Sequence, residues 1–95
     1  MRVNIYVASQ WSVDVRRLSQ CGSSFEVAVC LRSFEETLDG IDAADRIKYC
    51  KADFENCIHL LREKGVVFSS DLTRAIIRIM KRYFDTVRYI HSLAV

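Results

Sequence analysis

The chain has 95 residues, of which 51% are apolar, 27% charged and 11% aromatic, and its net charge is +2. These fractions exclude a disordered or fibrous chain, and the length predicts one domain over residues 1–95. With no proline and three glycines there is little room for long irregular loops, and so small a net charge does not by itself imply a polyanionic partner.

Residues 2–8 alternate, with Val3, Ile5 and Val7 on one face, which predicts a strand. Residues 25–31 alternate more cleanly, with Phe25, Val27, Val29 and Leu31 inward, and predict a second strand. Between them the pattern is double. Trp11, Val13 and Val15 alternate as a strand does, while Trp11, Val15 and Leu18 also fall at i, i+4, i+7, with Ser9 or Ser12 as N-cap and Gly22 as C-cap. The strand reading, which we prefer, gives a three-strand meander. The helix reading gives a βαβ start with its two strands parallel.

From Ser33 the period changes. Ser33-Phe34-Glu35-Glu36 matches a capping box and predicts a short helix to about Leu38, broken by Gly40. A longer helix is expected from near Asp42 to Lys64. Its apolar residues Ala43, Ile47, Cys50, Phe54, Cys57, Ile58 and Leu61 form a stripe roughly 100° wide, and Gly65 ends it. Val66-Val67-Phe68 reads as an apolar link or a further short strand. Ser69, Ser70 and Asp71 then offer N-caps for a final helix running nearly to the C-terminus. No internal repeat, low-complexity tract or linker is visible. The expected fold is α+β, a small N-terminal antiparallel sheet of two to three strands packed against two long C-terminal helices.

On the final helix the apolar residues from Leu72 to Leu93 spread over an arc of roughly 200°, wider than one packing partner covers. The flank of Ile77, Met80 and Phe84 is therefore expected to join a second copy of the chain as a dimer interface. The other face carries Arg74, Arg78, Lys81, Arg82 and Arg88. Arg74, Arg78 and Arg82 form one row at i, i+4, i+8. Such a row can be solvated, pair with the acids of residues 34–64, meet an acidic protein surface, or follow a nucleic-acid backbone.

Chemistry has few footholds. The four cysteines, Cys21, Cys30, Cys50 and Cys57, match no zinc-module spacing. Cys50 and Cys57 are two helical turns apart, about 10.5 Å, too far to bridge. Cys21 sits in the likeliest exposed loop, but neither His59 nor His91 lies in a motif that would activate it. There is no nucleophile elbow and no phosphate-cradling loop. Glu35, Glu36, Asp42 and Asp45 sit at helix starts, where the dipole favours them. Asp39, Asp42 and Asp45 lack the loop glycine and terminal Glu of a calcium hand.

The expectation is thus a non-enzyme with no cofactor and no metal. Residues 1–5 lack the apolar core of a secretory signal and no run of about 18 apolar residues exists, so a cytoplasmic chain with reduced thiols and no membrane span is expected. Its expected function is that of an intracellular interaction module, a regulator, inhibitor or assembly subunit, acting on a protein partner through the last helix. The alternative is a dimeric nucleic-acid-binding regulator that uses the basic stripe.

Overall fold

The computed structural model describes residues 5–84, and the described residues contain helices and connections but no strand. The helices are α1 (Ile5–Ser19), α2 (Ser24–Asp39), α3 (Ala43–Asp45), α4 (Lys51–Glu63) and α5 (Ser70–Ile79). A π-helical segment, Arg46–Cys50, joins α3 to α4 without a gap, and a second, Met80–Phe84, prolongs α5. The expected α+β fold is therefore corrected to a small all-helical domain, and among the described residues the N-terminal sheet is replaced by helices. Residues 1–4, part of the first expected strand, and residues 85–95, with Arg88, lie outside the described residues.

The capping chemistry explains the correction at residues 25–31. Ser23 Oγ accepts the Glu26 backbone N–H at 3.2 Å, and its hydroxyl donates to Glu26 Oε1 at 3.2 Å. This S-x-x-E box starts the helix ten residues before the one expected at Ser33. Counted by 3.6 from there, Val27, Leu31, Phe34 and Leu38 fall inward and are buried. Phe25 and Val29, which alternation would bury, are 78% and 50% exposed. In the 11–18 segment the helical reading holds instead of the preferred strand: Trp11, Asp14 and Leu18 are buried and Val13 faces out. Val66-Val67-Phe68 is a connection, with Val66 buried and Val67 exposed.

The π segment explains a smaller departure. Cys50, Phe54, Cys57, Ile58 and Leu61 are buried, whereas Ala43 and Ile47 face solvent. A π turn holds an extra residue, so the stripe upstream of it is rotated away from the core. What the segment brings inward is Arg46. Its Nη1 donates to the carbonyls of Leu38 and Ile41 at 2.9 Å each, closing the end of α2, and its guanidinium lies 5.2 Å from the Tyr83 ring centroid. Gly40 follows α2, and Gly65, at φ 95°, ends α4. Ser69 Oγ accepts the Leu72 N–H at 3.1 Å and starts α5.

An aromatic ladder forms the centre, with one ring from each of four helical rods. Trp11 meets Phe34 edge-on at 4.8 Å, Phe34 meets Phe54 at 5.6 Å, and Phe54 meets Phe84 at 5.6 Å. The rods make two αα-hairpins that stack in parallel, α1 on α4 and α2 on α5. Contacts across the stack keep an almost constant sequence offset. The Trp11 indole N–H donates to Asp53 and the Cys57 thiol to the Val15 carbonyl, each 42 residues apart. Between α2 and α5, the Arg78–Glu35 pair is 43 apart, Tyr83–Asp39 is 44 and Ser24–Ser69 is 45. Burial repeats with the same offset: Trp11, Leu18, Val27, Leu31 and Leu38 have buried counterparts in Phe54, Leu61, Leu72, Ile76 and Tyr83. The constant offset is the register of two parallel helix pairs, and the burial patterns of the two hairpins correspond in part.

Candidate functional site

Because α2 and α5 run parallel in register, the i, i+4 row of arginines on one meets an i, i+4 row of acids on the other. Arg78 Nη2 donates to Glu35 Oε1 at 2.5 Å, and Arg82 Nη2 lies 3.9 Å from Asp39 Oδ1. Arg74 pairs with Asp71 on its own helix. Lys81 is exposed. Of the expected basic face, then, the three arginines in the row have carboxylate partners, and these come from α2 and α5 rather than from α4.

The expected dimer flank is placed differently. Met80 is 0% and Phe84 1% exposed, and Ile77 is half-buried. Phe84 ends the aromatic ladder against Phe54. The apolar arc is wide because α5 and its π extension pack on α2 and on the Arg46–Cys50 segment at once. These three side chains offer a second copy of the chain no exposed apolar flank.

Beside the ion pairs, α2 and α5 diverge around a groove of about 690 Å³. Ala28 and Ala75 open it by being small, Leu31 and Leu72 floor it, and Arg32, Glu35 and Arg78 stand on its rim. Phe25 lies at its mouth and also borders a second depression, of about 440 Å³, shared with α1. Exposed Phe25 follows from the Ser23 cap, which fixes where the helix starts and hence which face each residue takes.

The second depression contains Cys21 and Cys30. Cys21 is not the accessible loop thiol its surroundings in the sequence suggest: it is 3% exposed. Burial and the neighbouring Cys30 push it up to about 12, and burial pushes Cys50 and Cys57 up to about 11. Thiols held protonated are poor nucleophiles. His59 Nε2 pairs with Glu63 at 3.1 Å on the surface of α4, and His91 lies outside the described residues.

One buried polar cluster was not legible beforehand. Asp14, 2% exposed, accepts from Gln10 Nε2 at 3.1 Å, Ser33 Oγ at 2.9 Å and Thr37 Oγ1 at 2.6 Å. Three donors satisfy the carboxylate without a cation, so it locks α1 to α2 rather than offering a reactive group. Asp39 takes the Tyr83 hydroxyl and Asp45 is buried, so these two serve the packing, while Asp42 is exposed at the start of α3. Among the described residues no three His, Cys, Asp or Glu side chains gather in metal-binding geometry, and no helix is long and apolar enough to cross a membrane. Comparison with protein-family models, with curated proteins and with solved structures finds no match.

Proposed function

We propose that the chain is a non-catalytic interaction module that receives a protein partner in the groove between α2 and α5. The observation that carries this reading is the exposed Phe25 at the mouth of an apolar, alanine-opened groove. A large aromatic in water next to a concave apolar floor is the usual anchor of a protein interface. The occupant is a chain segment presenting one apolar side chain to Ala28 and Ala75, with an acid placed to meet Arg32. This keeps the last helix as one wall of the interface. The nucleic-acid alternative would use Arg74, Arg78 and Arg82, each of which now stands beside a carboxylate, Asp71, Glu35 and Asp39.

Two substitutions and a control test the proposal. Phe25→Glu charges the mouth, Ala75→Trp fills the groove, and Val13→Glu places the same charge on α1. Affinity capture from the native lysate, with a photo-crosslinker at position 28, should yield one protein crosslinked in the groove. Both groove variants should lose it and Val13→Glu should keep it. Capture indifferent to both groove variants, or a polynucleotide released steeply by salt, would overturn the reading.

A further inference from the structure

Cys21 ends the turn after α1 and Cys30 lies in the second turn of α2, nine residues later. The hairpin brings their sulfurs to 3.4 Å. The Cys21 thiol donates to the Arg17 carbonyl at 3.3 Å. Either sulfur can donate across the gap. Cys30 is half-buried and, with Cys21, lines the 440 Å³ depression bounded by Arg17, Gln20, Glu26 and Phe25. The two thiols touch at the edge of the core, and the half-buried Cys30 opens onto the depression.

We propose that Cys21 and Cys30 are an oxidation site, which a low-molecular-weight disulfide converts into an intramolecular Cys21–Cys30 bridge. Cys30 loses its proton to solvent, and its sulfur attacks one sulfur of the small disulfide. That S–S bond breaks, and the first small thiol leaves with a proton. Cys21 then gives up its proton, its sulfur attacks the adjacent Cys30 sulfur of the mixed disulfide, and the second small thiol leaves with a proton. Two protein thiols are oxidised and one disulfide is reduced to two thiols, so the electrons balance. The depression gives the first reagent its access, and Arg17 and Glu26 suit a charged, peptide-like one. Cys50, at the end of the first π segment, and Cys57, on α4, take no part, being buried and about two turns apart. Burial holds Cys21 up at about 12. The second step therefore accelerates as pH rises.

Oxidised glutathione, at a ratio to reduced glutathione that oxidises a small dithiol, is the probe. The folded chain is incubated, quenched in acid, denatured and alkylated, then weighed and peptide-mapped. The wild type should lose two of its four labels and two hydrogens, with the Cys21 and Cys30 peptides joined. Cys21→Ala should stop at a glutathione adduct on Cys30, and Cys30→Ala should leave Cys21 unmodified. Circular dichroism checks that each variant is folded. Should Cys21→Ala unfold, Cys21→Ser takes its place. In denaturant the preference for this pair should disappear. Four free thiols, an adduct on Cys30 as persistent as in the variant, a bridge through Cys50 or Cys57, or equal bridging in the unfolded chain would each overturn the proposal.

Discussion

The Tyr83 hydroxyl donates to Asp39 Oδ1 at 2.8 Å and ties the π segment after α5 to the last residue of α2. Burial, with Asp39 beside it, pushes Tyr83 from its ordinary 10.0 up to about 12. Cys50 and Cys57 move in the same sense, from 9.0 to about 11, and Cys21 to about 12, all through burial first. In each case the unfolded chain releases its proton before the folded one. The stabilisation is whole below about pH 9 and is lost progressively towards pH 12. Urea midpoints should therefore be flat from about pH 7 to 8.5 and fall steeply above. Cys57→Ala should shallow the fall between 9 and 11, though lowering the plateau. A midpoint that rises above pH 9 would contradict this assignment.

The Asp14 carboxylate should rank among the most sensitive positions to substitution. Asp14→Ala strands three donors, from Gln10, Ser33 and Thr37, and should lower stability by about 2–4 kcal/mol. Thr37→Val removes one donor and should lower it by about 1–2 kcal/mol. The two effects share a network, so the double variant should fall short of their sum in urea unfolding.

The arginine row should behave in the opposite way. Arg74, Arg78 and Arg82 have side chains 74%, 60% and 61% exposed. Exposed pairs contribute about 0–1 kcal/mol each, less in salt. Replacing all three with Gln should shift the melting temperature by a few degrees at most, and added salt should narrow the difference. Arg78 should account for most of what remains, because its partner Glu35 is the least exposed of the acids. A collapse of the fold would assign these arginines a packing role.

Two glycines should separate cleanly. Gly65 has φ 95°, with nothing within 4 Å of an added Cβ, so Gly65→Ala should lower stability by about 1 kcal/mol through backbone strain alone. At Gly22 an added Cβ would meet only Glu26 Oε1, at 3.8 Å, an ordinary contact. Gly22→Ala should be neutral or slightly stabilising. Thermal unfolding of the two variants distinguishes them.

The second half of the chain was readable because its signals are local. The caps at Ser69 and Gly65 and the stripe from Cys50 to Leu61 can be recognised without knowing the fold. The first half misleads because Val27 and Val29 sit beside Phe25 and Leu31 and imitate a period of two, when only half of that set turns inward. In α1 the inward face includes Asp14, a carboxylate two of whose three donors lie on another helix, so the apolar stripe looks broken. The Cys21–Cys30 contact depends on the α1–α2 turn, and the α2–α5 groove on an offset of some 43–45 residues. Neither leaves a trace in spacing. The partial correspondence between the hairpins lies in burial more than identity; few positions at that offset match, Leu18/Leu61 and Gly22/Gly65 among them.

Two hairpins of matching burial pattern pose a problem of threading: each could in principle occupy the other's seat, within one chain or by exchange between chains. The residues that differ most between equivalent positions prevent it. Where α2 turns Ser33 and Thr37 towards Asp14, the corresponding places on α5 hold Arg78 and Arg82, which reach for Glu35 and Asp39. Opposite them α4 carries Cys57 where α1 carries Asp14. Exchanging the seats would press two guanidinium groups into a site shaped for two hydroxyls and leave α2's acids facing a helix with nothing to give them. These unlike partners favour one seat for each hairpin, so a shared burial pattern does not make the two interchangeable.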